Sequence, residues 1–141
     1  MKEGLIALVP LVSAAIGAYL TFLFTSRAKR DEVIQRFKEE KYTKLLVKLQ
    51  GFLGGTISVQ MKKEFFEEQY QSWLYASDEV VKSLNDMVRL VEQHRGSAPD
   101  PVIGQKTIGD IVLAMRRDLL RKTKLDHTAF RYMEVHETKK H

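Results

Sequence analysis

The chain has no cysteine, so it forms no disulfide, offers no thiol nucleophile and holds no cysteine-ligated metal. It has only 3 prolines and 8 glycines in 141 residues, and no low-complexity tract. No stretch shows the strict apolar–polar alternation of a half-buried strand, and there is no internal repeat. A GxSxG nucleophile motif is missing. The histidines His94, His127, His136 and His141 include no pair at the i,i+3 or i,i+4 spacing of a helical metal site, so no metal or other cofactor is expected. These absences remove thiol enzymes and zinc modules of the cysteine type, and they leave an all-helical reading.

Charge is missing too, in one place. Leu5 to Phe24 runs for twenty residues without Asp, Glu, Lys or Arg. A helix of that length spans about 30 Å, the thickness of a bilayer's hydrocarbon core. Eleven of its residues are Leu, Ile, Val or Phe, which together favour insertion by roughly 5 kcal/mol. The small-residue run Ser13-Ala14-Ala15 sits mid-segment rather than after a short apolar core, which argues for an anchor and against a cleaved signal peptide. Arg27, Lys29 and Arg30 follow at once, with Arg36, Lys38 and Lys41 behind them, against Lys2 alone upstream. The basic flank stays inside, so the expected topology is an N-terminus outside a bacterial-type inner (plasma) membrane and a cytoplasmic C-terminal domain. Lipid is therefore the first expected partner, met at the interface by Arg27, Lys29, Arg30 and Trp73.

The expected organisation is a transmembrane anchor over 1–26, a cytoplasmic antiparallel helical bundle over 27–136 and a flexible tail over 137–141. Residues 31–50 place Ile34, Phe37, Leu45 and Leu49 at helical spacing, with Glu32–Arg36 and Glu40–Lys44 as supporting pairs. No Pro or Gly intervenes between the anchor's end and Gly51, so the two helices should run on as one. Apolar patterns through Met61, Phe65, Phe66, Tyr70, Trp73 and Leu74, and through Val80, Leu84, Met87 and Val91, predict two more helices, the latter capped by Ser77. A helix over 27–50 rises about 36 Å, whereas one unbroken from 57 to 94 would run about 57 Å, so a break is expected near Ala76-Ser77. That geometry brings Trp73 and Tyr75 towards headgroup level; the simpler alternative is that Trp73 fills the bundle core. Arg95 to Gly104 reads as a loop, Thr107 and Asp110 as a capping box, and 108–119 as a fourth helix. A turn over 122–126 and a short helix with Phe130 and Met133 close the bundle.

Formal charge is +5, concentrated in residues 27–68 and 106–141. That balance suits an anionic membrane surface or a polyanion such as RNA. Arg116, Arg117, Arg121, Lys122 and Lys124 form a basic patch able to meet lipid or RNA phosphates, or to be plain solvated surface. Ser13-x-x-x-Gly17 and Ala14-x-x-x-Ala18 are small-xxx-small spacings that permit close packing of anchors and hence self-association. Gly104-Gln105-Lys106-Thr107 lacks the glycines and the leading strand of a phosphate-binding loop.

Three segments place His five or six residues after Arg: Arg89 to His94, Arg121 to His127 and Arg131 to His136. They resemble the Arg-x4–6-His motif of helical HEPN ribonucleases, which work at a dimer interface. Lys122 after Arg121 suits that family's preference for a polar residue there. The resemblance implies His127 moving a proton and Arg121 steadying the phosphate, at a membrane-tethered site of RNA-guided immunity. Residue by residue, no catalytic group stands out. The expected function is a single-pass, membrane-anchored helical scaffold that oligomerises and recruits an unidentified protein partner. The alternatives are the ribonuclease and a small pore-forming effector.

Overall fold

The computed structural model describes residues 2–52, 58–95, 97 and 99–131. Ile57, Gly54, Gly55, Met133, His136, His141 and the expected tail 137–141 lie outside the described residues. Among the described residues four helices account for the architecture: α1 Lys2–Leu49, α2 Val59–Ser72, α3 Asp78–Gln93 and α4 Pro101–Leu120. Short 3-10 turns follow α1 at Gln50–Phe52 and α4 at His127–Ala129. No strand occurs among the described residues. The chain divides into two compact units, residues 1–37 and 38–141.

The first unit is α1 up to Phe37, and it contains a helical stretch long and apolar enough to cross a membrane. Its large apolar side chains lie open, Leu11 being 74% and Phe24 69% exposed. Pro10 falls inside the helix. Ser13 Oγ donates to the Val9 carbonyl at 2.9 Å, and Thr21 Oγ1 to the Gly17 carbonyl at 2.8 Å. Both hydroxyls are thus satisfied within the helix, which lowers their cost in an apolar medium.

The second unit is the bundle. α1 contributes Tyr42, Leu45 and Leu49, α2 Phe65, α3 Val80, Leu84, Met87 and Leu90, and α4 Ile108, Ile111, Ala114 and Met115 to one buried core. Lys41 pairs with Glu68, and Lys48 with Glu64 and Glu68, so α2 runs antiparallel to the end of α1. Arg117, late in α4, bonds Glu79 at the start of α3, fixing a second antiparallel pair. Gly51 ends α1 where α2 comes close: a Cβ there would stand 2.7 Å from the Met61 Cβ. Ser77 caps α3 by accepting from the Val80 N–H, as its spacing predicts.

Three expectations change. α4 begins at Pro101 rather than beyond Gly104, because Asp100 accepts from the Val102 N–H at 2.7 Å and Pro101 sits at the first helical position, where its missing N–H costs nothing. Thr107 is therefore mid-helix, donating to the Ile103 carbonyl at 2.8 Å, and is no cap. Trp73 does not fill the core: α2 stops at Ser72, which is fully buried and donates to the Gln69 carbonyl, and Trp73 is 61% exposed in the turn that follows. Tyr70 and Leu74 are 80% and 90% exposed beside it, and Ile34 and Phe37 on α1 are also exposed rather than buried.

Candidate functional site

At the end of the bundle where Lys38 stands, Asp118 of α4 gathers two groups from α1. Its carboxylate accepts from Lys38 Nζ at 3.0 and 2.9 Å and from the Tyr42 hydroxyl. The pair is mostly buried, the Lys38 and Asp118 side chains being 19% and 12% exposed. Burial first, then the bond and charge of Asp118, hold the Tyr42 phenol well above its ordinary range. Tyr75, tilted against Tyr42 with ring centroids 5.9 Å apart, is pushed up to about 12 by burial and by the nearby Glu68 charge. None of these residues carries a motif spacing, and Asp118 has no signal in the sequence beyond its place on a helix face. The cluster neutralises its own charges, so its chemistry is structural: it clamps α4 to α1.

The basic patch is only partly available. Arg117 is tied to Glu79 at 2.5 Å, and Arg116 Nε donates to Thr123 Oγ1 at 3.2 Å, holding the segment after α4. Arg121, Lys122 and Lys124 are exposed. Arg121 ends α4 in the left-handed region at φ 63°, a conformation usually left to glycine. In the first unit, Arg27, Lys29 and Arg30 are exposed, as are Ser13, Ala14, Gly17 and Ala18, and nothing lies within 4 Å of a Cβ placed on Gly17.

His127 lies elsewhere. Asp126 accepts from the Thr128 hydroxyl and from the Thr128 N–H, the latter at 2.9 Å, and caps the 3-10 turn; the hydroxyl bond first and then the N–H bond hold its carboxyl below the usual range. The turn then seats His127 on α4: a Cβ on Gly109 would stand 3.0 Å from the His127 carbonyl oxygen and 3.1 Å from its Cβ. Its Nδ1 is 4.0 Å from Asp110, whose other oxygen takes Lys106 Nζ at 2.6 Å. From Gly109 to Arg121 the helix rises about 18 Å, so the two members of the Arg121/His127 pair do not meet within one chain. Of the other matches, Arg89 pairs with Asp86 and His94 Nδ1 faces the Leu90 carbonyl at 2.9 Å, while His136 lies outside the described residues.

What does gather around His127 is a groove of about 420 Å³, lined by Val102, Gln105, Lys106, His127, Thr128 and Arg131. No cluster of three His, Asp or Glu able to hold a metal occurs among the described residues. No known protein family, curated protein or solved structure matches the chain.

Proposed function

We propose that this chain is a single-pass membrane-anchored interaction protein, whose helical bundle self-associates and recruits a protein partner at the cytoplasmic face of the inner membrane. The observation that carries the reading is the exposed Tyr70–Trp73–Leu74 cluster at the end of α2. Trp and Tyr dominate the energetics of protein contacts, and a cluster of large apolar side chains left open on a small domain marks a surface that meets another molecule. α1 supports it by carrying both the apolar segment and three core residues of the bundle, Tyr42, Leu45 and Leu49. The anchor confines copies to a surface and so raises their effective concentration, which lets contacts of modest strength assemble them. The back-bonded Ser13 and Thr21 hydroxyls offer little to a water-filled lumen, so assembly into a scaffold is favoured over a pore.

Light scattering on the full-length protein in detergent tests the assembly. A defined oligomer is expected, with Gly17→Leu weakening the contribution of the anchor and Trp73→Ala that of the bundle. A monomer at every accessible concentration refutes self-association. The chain lacks cysteine, so Gln60→Cys reads the orientation directly: protection from an impermeant thiol reagent until the membrane is opened is the expected result. The ribonuclease reading needs a second copy to bring Arg121 to His127, and RNA cleavage by the full-length protein, lost in His127→Ala, is its test.

A further inference from the structure

The groove beside His127 is a concavity that the interaction reading leaves unused, and its lining combines cationic, amide and apolar groups. Val102, Gln105 and Lys106 reach it from one face of α4, and His127, Thr128 and Arg131 from the segment that follows the helix. Two carboxylates stand close. Asp110 is engaged by Lys106 at 2.6 Å, and Asp126 by the Thr128 N–H and hydroxyl. Lys106 has three N–H donors and spends one on Asp110, and a guanidinium has five, so donors outnumber the acceptors that face them. Three elements of local structure hold this arrangement: the Asp126 cap, the turn at His127–Ala129 and the bare Gly109 surface on which His127 rests.

We infer that this groove binds the phosphate of a nucleotide-sized ligand, held by Lys106, His127 and Arg131, with the base against Val102 and Gln105. The volume falls in the range of small-molecule sites, about 300–1,000 Å³. Arginine and lysine are the side chains that recognise phosphate, through charge-assisted bonds about twice as strong as neutral ones. A histidine beside them adds a ring N–H as a further donor. Val102 and the Gln105 amide offer a planar heterocycle an apolar contact and a hydrogen-bonding partner, which a bare anion would not need. The inference is independent of the membrane anchor and of assembly, and assigns no cleavage step.

The test uses the full-length protein in detergent micelles, titrated separately with inorganic phosphate, uridine 5′-monophosphate and a uridine hexanucleotide. Histidine ring resonances are followed by NMR, with affinity from calorimetry. The mononucleotide should shift His127 saturably and leave His94 unmoved. Lys106→Gln and Arg131→Gln should each weaken binding about tenfold or more, the loss expected for one charge-assisted bond. Lys124→Gln, outside the groove, should bind normally. Circular dichroism separates lost binding from lost folding for Lys106→Gln, and Arg131→Gln, exposed and beyond α4, keeps the test open if Lys106→Gln unfolds. Absence of a saturable His127 shift at millimolar nucleotide overturns the inference. So does normal binding by both groove variants, tighter binding of the hexanucleotide with the same variant sensitivity, or phosphate binding as tightly as the nucleotide.

Discussion

Asp118→Asn is the sharpest test of how the bundle is held. The substitution keeps size and one carbonyl oxygen for Tyr42, and replaces the charge that Lys38 Nζ meets at 2.9 Å. Breaking a buried ion pair costs about 3–5 kcal/mol, because the surviving charge loses its counter-ion away from water. Here the two side chains keep 12% and 19% of their exposure, and asparagine still accepts one bond, so about 2–3 kcal/mol is the expected loss. For a unit of this size that lowers the unfolding midpoint by about 10–20 °C. Thermal circular dichroism of the full-length protein in nonionic detergent reads it. The converse is as informative: Lys38→Met, Tyr42→Phe and Asp118→Leu together remove the three polar side chains of the cluster and should return stability to within about 2 kcal/mol of the parent. A fall of less than about 3 °C in Asp118→Asn, or a triple variant no more stable than the single one, refutes the clamp.

Phe65→Ala removes a fully buried ring that meets Phe52 and Phe66 edge-on at 5.1 and 5.5 Å, and should cost about 3–5 kcal/mol in the same assay. Arg121→Gly should be more stable than Arg121→Ala by about 1 kcal/mol, since both lose the charge but only glycine is at ease at φ 63°; equal midpoints would show that α4 ends differently. Tyr42 and Tyr75 are held above the ordinary phenol range, so above pH about 10 the unfolded chain sheds protons that the folded chain keeps, and stability falls as pH rises. Absorbance at 295 nm should show these two tyrosines ionising late and with unfolding; all five titrating together without loss of helix would contradict the packing.

Much of the fold was legible because its signals are local. Helical periodicity, the lack of any Gly or Pro between the apolar segment and Gly51, and Ser77 with two acids behind it placed α1, its end and the start of α3. The start of α4 is ambiguous in the sequence because Asp100-Pro101 sits among Gly, Ser and Pro that signal a loop, although Asp then Pro is equally a cap and first-position pair. For Trp73 it is the core alternative alone that the structure removes. Its spacing from Phe65 and Phe66 fits the buried face, but the helix stops at Ser72, and the spacing loses meaning once the chain turns. Asp118 was invisible because its partners, Lys38 and Tyr42, are 80 and 76 residues away.

The same limit governs the candidate site, and it shows what a motif spacing presupposes. Six residues from Arg121 to His127 would place two side chains near each other only if the chain between them kept one course. It does not: Arg121 adopts the left-handed conformation that ends α4, and residues 122–126 lead to a turn that lays His127 against Gly109, in the first half of the helix. The histidine singled out by spacing thus stands in a groove, but its neighbours there are Lys106, Arg131 and Asp110 rather than Arg121. The pointers to that outcome were themselves in the sequence. Gly109 is a glycine inside an apolar helix pattern, where it costs about 1 kcal/mol relative to alanine unless something packs on it, and Asp126-x-Thr128 is a capped turn. Each says that a segment is held, and neither says against what. The pairing of a bare helix surface with a capped turn eighteen residues on is a tertiary choice, made by the core beneath, and a fixed spacing cannot encode it.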